Sequence, residues 1–411
     1  MHTRRLPYVL VVALIVAATI LSACGATPTA TPVPPTATKP PAPTNTPVPA
    51  APAATPVPAA PTATPVPPTA TKPPATNTPV PPTNTPAPVV AAATNTPGPT
   101  NTPIPMKCDK LPNMPTVAAG QLGSPEKPLV MTFVPSGDTG KITKAGTAIA
   151  ECLTKMTGLT YKIEVGTTFA ASIEAMGANK AQVGFLNTFS ALLAEAKYGI
   201  VPALAVLRKY NTNSIDPDKA DAGKMTAYYK GQFIAQKAST IKTMADLKGK
   251  TFCFVDPNST SGYIIPRIIM QANGINPDKD LKATVNAGSH NNVGLGVYKG
   301  DCDAGVTFID VLTDAAANLK AIYPDIADKV VPFAVTDKIP NDGVQYTKDL
   351  DPKVQDATTA ALLGMAADPG GLQTLANLYT INGFQKIDKT FYQEFANVLK
   401  KAGVDPASLV K

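Results

Sequence analysis

Histidine is nearly absent. The 411 residues hold two, His2 and His290. With one of them in the first residues, there is no imidazole set for a zinc cluster. A hydrolase would have His290 as its sole ordinary base. The chain also lacks a C-x-x-C pair, a G-x-S-x-G elbow and any carboxylate pair at recognisable active-site spacing, the usual marks of zinc, serine-hydrolase and paired-acid sites. The formal charge is +7, but the basic residues are dispersed and form no Lys/Arg run interleaved with aromatics. The footprint of a nucleic-acid binder is therefore missing. Residues 25–105 contain no aromatic residue, and only Lys39 and Lys72 are charged. Such a segment has nothing to bury against the entropy of ordering.

The first residues are MHTRRLPYVLVVALIVAATILSACG. A basic start, an apolar run from Val9 to Leu21 and small residues before a cysteine describe a secretory signal over residues 1–23. The run is shorter than the ~20 residues a membrane span requires. Leu21-Ser22-Ala23-Cys24 resembles the bacterial lipoprotein box, which implies cleavage before Cys24 and lipid attachment to it. Residues 24–105 then read as a disordered Pro/Thr-rich stalk, in which PTATPVPPTATKPPA occurs twice, at Pro28–Ala42 and Pro61–Ala75. Proline pins φ and removes donors, so an extended polyproline-like chain is expected. At roughly 3.1 Å per residue, ~80 residues reach on the order of 200 Å. The domain beyond would stand off the outer face of the cell membrane. Its cysteines are Cys108, Cys152, Cys253 and Cys302. In an exported chain an even number suggests two disulfides. Cys108–Cys152 and Cys253–Cys302 are the expected pairs, since each falls within one proposed lobe.

From residue 129 onward, short β-rich runs alternate with helical ones: LVMTFVP, then KITKAGTAIAECLTKMTG, YKIEVG, FAASIEAMGANK, AQVGFL, TFSALLAEAKYG and VPALAVLR. The pattern restarts after FIAQ with TFCFVD, GYIIPRIIMQANG, LKATVNAG, NNVGLGVYKG, AGVTFI and a helical DVLTDAAANLKAIYP. From about Pro352 the chain reads as helical. This β–α alternation predicts an α/β fold of two lobes, each a mostly parallel sheet flanked by helices, with a ligand cleft between them. Lobe 1 is assigned residues 106–230 and 341–411, and lobe 2 residues 231–340. The extended crossings suit a hinge.

Open sheets bind ligands outside the carboxyl ends of their strands. Ser136 and Asp138, Thr167–Phe169, Asn187–Phe189, Ser259–Ser261, Ser289–His290 and Asp310 all follow strands, and two facing lobes would bring these loops to one cleft. Taken alone, Ser259-Thr260-Ser261-Gly262 has two readings. It is either an anion site, made of hydroxyls and free N–H groups at a helix start, or an ordinary helix N-cap.

The longer pattern DLKGKTFCFVDPNSTSGYIIP, NAGSH, YKGDCDAGVTFID and IPND is preceded by PSGD, IEAMGANKAQVGFL and Y-x-G-Q. In this order and spacing it resembles the substrate-binding proteins of phosphate/phosphite/phosphonate ABC transporters, over essentially the whole globular part. The resemblance implies a type II-like periplasmic-binding-protein fold and capture of a small phosphorus oxyanion for delivery to an ABC permease, with no enzymatic activity, cofactor or metal. A lipid-anchored sensor, or an exported hydrolase on the same scaffold, is the alternative. Ser259, Thr260 and Ser261 would hold the phosphoryl oxygens and His290 would stand beside the anion. Asp310 and Asp342 would meet a ligand amine or protonated oxygen, and Ser136, Thr168, Phe169, Thr188 and Phe189 would complete the binding set. Phe169 and Phe189 stand where phosphonate binders of this family often carry tyrosine, which leaves the anion's identity open. The expected partners are the anion, a permease and, through the lipid, the membrane. No nucleic acid is expected, and the protein is expected to be a monomer.

Cys24→Ala should leave the precursor unprocessed or release the domain from the membrane. A normally processed, membrane-bound Cys24→Ala protein in fractionated cells would contradict the lipoprotein reading.

Overall fold

The computed structural model describes residues 103–406. The signal, Cys24 and all but the last three residues of the 24–105 stalk lie outside them.

The first lobe grows from local signals. Strand β1 (Leu129–Phe133) is buried at all five positions, as a strand covered on both faces must be. After it, Asp138 accepts a hydrogen bond from Lys141 N at 2.8 Å and starts α1 (Thr139–Thr157). That helix buries Ile142, Ala145, Ile149, Leu153 and Met156, a stripe at three- and four-residue spacing. Gly158, at φ 77°, stops it in the left-handed region that glycine adopts without strain. Strand β2 (Tyr161–Val165), α2 (Phe169–Gly177), β3 (Val183–Leu186), α3 (Thr188–Tyr198) and β4 (Val201–Lys209) follow. Strands β2 and β3 pair parallel with β1 on either side.

Short strands β5 (Met225–Thr226) and β6 (Tyr228–Tyr229) lead to the second sheet. It is built from β7 (Gly231–Gln236), β8 (Thr251–Phe254), β9 (Ala283–Asn286), β10 (Ala304–Phe308) and β11 (Val330–Val335) in the order β11-β7-β10-β8-β9. Helix α4 (Ile265–Ala272) follows β8, and α5 (His290–Lys299) joins β9 to β10. The chain returns through β12 (Ile339–Pro340) to β13 (Gly343–Tyr346). Helices α6 (Pro352–Ala367) and α7 (Pro369–Tyr379), strand β14 (Gly383–Lys386) and α8 (Gln393–Lys401) complete it. The first sheet runs β14-β4-β13-β3-β1-β2, with β5 on β4. Between the sheets, β6 and β12 pair antiparallel, Tyr229 opposite Ile339 and Tyr228 opposite Pro340. Lys230, buried beside this pair, bridges Asp216 at 2.9 Å and Asp218 at 2.7 Å, tying the loop after β4 to the crossing.

Three details differ from the sequence expectation. Each sheet is parallel in one half only. β13 pairs antiparallel with β3 and β4, and β7 does so with β10 and β11. These are the strands that enter from the other lobe, and they arrive without a covering βαβ crossover. The stretch 310–324 is mostly turns rather than a helix. The Asp314 carboxylate accepts from Ala317 N at 2.7 Å, and Asn318 takes φ 60°, so only Leu319–Ile322 is helical. Such local side-chain bonds compete with helix formation. Strand β14 interrupts the expected C-terminal helices to close the edge of the first sheet on β4.

The turn after β8 is also specific. Thr260–Ile264 forms a π turn, with Ile264 N–H reaching Ser259 O and Ile265 N–H reaching Thr260 O. Pro266, in the first turn of α4, has no N–H to continue the wider register. Gly262 is required by closeness: a Cβ there would lie 2.3 Å from Val255 Cγ2.

Cys108 is bridged to Cys152 on α1 with Cα atoms 5.1 Å apart, and Cys253 of β8 to Cys302 before β10 at 5.8 Å. The second bridge closes a loop of sequence separation 49, so its loss should cost typically ~2–4 kcal/mol. A Cys253→Ser/Cys302→Ser protein should melt below the wild type in the absence of reductant. Equal melting temperatures would show that this loop is held by packing alone.

Candidate functional site

A cavity of about 110 Å³ lies between the two sheets, far below the ~300–1,000 Å³ of pockets for drug-sized ligands. Several helix starts meet there. Gly137 and Asp138 at the head of α1 come from the first lobe; Ser259 and Ser261 at the π turn, and His290 and Asn291 at the head of α5, come from the second. Helix starts leave N–H donors without intrahelical partners and carry a positive dipole end.

Of the residues singled out from sequence, Ser136, Phe169, Ser259, Ser261, His290, Asp310 and Asp342 line this cavity; Thr168, Thr188, Phe189 and Thr260 do not. Thr168 caps α2, accepting from Ala171 N at 3.1 Å. The Thr188 hydroxyl donates to Pro340 O at 2.6 Å, fastening α3 to β12. Phe189 is core. Thr260 accepts from the Asn187 side chain and from Phe189 N, both at 2.9 Å, and faces the other lobe. Phe189 therefore says nothing about which anion fits, and only Phe169 keeps that bearing.

His290 is 5% exposed. Its Nδ1 accepts from Phe308 N at 3.1 Å, so the neutral ring carries its proton on Nε2. Burial pushes its pKa down to about 3. The imidazolium form is thus absent across the ordinary pH range. Among the described residues no carboxylate holds the ring, as one would hold a general base. Ser259 accepts from Gly262 N at 3.1 Å and Ser261 accepts from Tyr229 Oη at 3.3 Å, leaving both hydroxyl protons to donate.

Residues not anticipated from sequence complete the lining. Arg208, at the end of β4, donates to Tyr379 O at 3.1 Å, Asn341 Oδ1 at 2.9 Å and Asp342 Oδ2 at 2.8 Å. These bonds use three of a guanidinium's five donors. Burial, and then the Asp342 charge, push the phenols of Tyr229 and Tyr379 up, so both stay neutral donors. The rule that drew attention to the other strand ends would have found Tyr210 and Asn211 beyond VPALAVLR, whose last residue is Arg208. Tyr229 stood in the Y-x-G-Q motif without a role.

The charges do not make a cationic trap. Lys141, Arg208 and Lys209 are met by Asp138, Asp310, Asp314 and Asp342. Asp310 takes a hydrogen bond from Asn211; closely surrounded by protein and near the charge of Asp314, its carboxyl is pushed up to about 7. Oδ1 of Asn187 and of Asn291 are buried acceptors with no partner among the described residues. The site thus offers neutral donors at one set of positions and surplus acceptors at another. Among the described residues no group of His, Cys, Asp and Glu is arranged to hold a metal ion.

Residues 131–392 match the family described as the periplasmic substrate-binding protein of phosphonate ABC transporters. The chain belongs to this family. It is 25% identical over 198 residues to the phosphate-import protein PhnD of Mycolicibacterium smegmatis, a match covering 47% of this chain and 58% of the relative. It is 25% identical over 238 residues to the phosphonates-binding periplasmic protein of Escherichia coli, covering 56% and 64%. The matched region therefore spans about three-fifths of each relative's length. The structure of a binding protein component of an ABC phosphonate transporter from Pseudomonas aeruginosa shares the fold, with TM-score 0.58 and 20% identity over 67% of this chain and 86% of that one. The family is one of solute-binding transporter components, not of enzymes.

Asp310 and His290 pull the pH dependence of stability in opposite directions. Asp310 binds its proton more tightly folded than unfolded, about 7 against 3.8, so its contribution to stability falls as pH rises from about 4 to about 7. His290 binds its proton less tightly folded, about 3 against 6.5, so its contribution is lost as pH falls below about 6.5. Asp310→Asn should therefore gain melting temperature relative to the wild type as pH is raised through that window. A constant difference between the two melting curves would remove the Asp310 shift.

Proposed function

We propose that the protein is an extracytoplasmic binding component that captures a small phosphorus oxyanion between its lobes and delivers it to an ABC permease. The observation that carries this reading is the meeting of helix starts and hydroxyls from both lobes around a cavity of about 110 Å³. Phosphoryl oxygens would take donors from Ser259, Ser261, Ser136, the Nε2–H of His290 and the N–H groups of the helix starts, a known arrangement for anions. Asp342, and Asp310 in its ionised form, would accept from the ligand's hydrogen-bearing end, a hydroxyl of the protonated oxyanion or an ammonium group. An anion carrying neither would bring no donor to these part-buried carboxylates and would bind more weakly. The chain would act as a monomer held at the membrane by the lipid on Cys24, with residues 24–105 as the tether.

A thermal-shift screen of phosphate, phosphite, methylphosphonate, 2-aminoethylphosphonate and sulfate tests the ligand class; sulfate, with no proton to donate at neutral pH, should rank last. Ser261→Ala is the cleaner substitution, because Ser259 also caps the π turn and its loss costs ~1 kcal/mol of stability as a cap. Removing a hydrogen bond to a charged ligand costs ~1.5–3 kcal/mol. Calorimetry should therefore show Ser261→Ala binding the best anion roughly ten- to a hundredfold more weakly. Unchanged affinity would return the Ser259–Ser261 turn to an ordinary helix start.

A further inference from the structure

Helix α3 begins without the cap its sequence provides. Asn187 is its N-cap residue, and asparagine is among the best side chains for that position, yet it makes no side-chain cap bond. The donor at the helix start, Phe189 N–H, is taken instead by Thr260 Oγ1 of the other lobe at 2.9 Å. The Asn187 amide turns outward and donates to Asn258 O at 2.8 Å and to the same Thr260 Oγ1 at 2.9 Å. Asn187 is 6% exposed and lines the cavity, and its Oδ1 has no partner among the described residues. Thr260 is 1% exposed, does not line the cavity, and receives two donors from the opposite lobe.

We propose that Thr260 and Asn187 form a latch that sets the balance between open and closed lobes, with Thr260 acting on closure and not on the ligand. Closed, lobe 2 caps α3 across the interface. Open, the Asn187 side chain rotates so that Oδ1 caps its own helix, the ordinary local arrangement. Each state satisfies the Phe189 N–H, so neither is locked, and the cross-lobe bonds tip the equilibrium. Other bonds cross the cleft, among them His290 N to Ser136 O at 3.1 Å and Thr380 Oγ1 to Asp314 Oδ2 at 2.6 Å. The Asn187–Thr260 pair is distinguished by exchanging one cap for another. Because apparent affinity scales with the population of the competent state, a weakened latch should lower affinity for every ligand by one common factor. A lost ligand contact would instead change the preference among ligands.

The affinity arm rests on the oxyanion-binding reading; the ligand-free arm does not. Thr260→Val removes the acceptor and keeps the shape, and Thr260→Ser keeps the acceptor. In calorimetry with phosphite, phosphate and methylphosphonate, Thr260→Val should weaken each bound probe by the same factor of roughly ten, which is about 1.4 kcal/mol. Thr260→Ser should stay near the wild type. Without ligand, small-angle scattering should give Thr260→Val a larger radius of gyration than the wild type. If the valine protein does not fold, Thr260→Ala takes its place. Equal ligand-free radii overturn the latch, even if no probe binds the wild type. So do equal behaviour of the valine and serine proteins, or a loss that differs severalfold between probes, which would put Thr260 on the ligand.

Discussion

Helix starts leave backbone N–H groups that need hydrogen-bond partners from outside the helix. That constraint organises the centre of this molecule. Strand β1 ends into the Asp138-capped start of α1, β8 into the Ser259-capped π turn, and β9 into the Ser289-capped α5. Capping satisfies one donor at each end, and residues of all three starts line the space between the sheets. The sheets set the distance, the β6–β12 pair joins them, and Lys230 with Asp216 and Asp218 stiffens the loop beside that crossing. In the proposed function, an acceptor-rich solute small enough for the remaining space would complete what the protein leaves open.

The electrostatics refine that picture. An anion site need not be a cluster of cations. Arg208 is largely committed to Asp342, Asn341 and the Tyr379 carbonyl, and the lining acids outnumber the lining bases. Neutral donors held in place by burial recognise negative charge without inviting counter-ions, and they do so with fixed geometry. In the proposed function, the ionised acids would favour a ligand that brings hydrogens of its own. His290 belongs with the neutral donors: the Phe308 N–H fixes its tautomer and burial keeps it uncharged.

Much of this was legible in the sequence because alternation of apolar strands and capped helices is local. The strand ends at Ser136, Ser259, His290 and Asp310 all line the cleft, since the rule that locates them depends only on topology. What was not legible depends on distant partners. Thr260 sits between two cleft-lining serines, yet a π turn rotates it toward Asn187 and Phe189 N of the other lobe. Thr168 and Thr188 follow strands as the serines do, but one is taken by its own helix and the other by the Pro340 carbonyl. The turns at 310–318 have helical composition but are captured by Asp314 side-chain bonds, and Asp314 is itself held by Thr380 from the far end of the chain. Strand β14 owes its existence to the open edge of β4, which no local pattern announces.

The most direct measurement is the crystal structure of the protein grown with phosphite or methylphosphonate, whichever binds more tightly. A tetrahedral anion is expected between the lobes, its oxygens within hydrogen-bond distance of Ser259 Oγ, Ser261 Oγ and His290 Nε2 and its hydrogen-bearing side toward Asp310. Density for the anion elsewhere on the surface, with this cavity filled only by water at saturating ligand, would contradict the assignment of the interlobe cleft as the binding site.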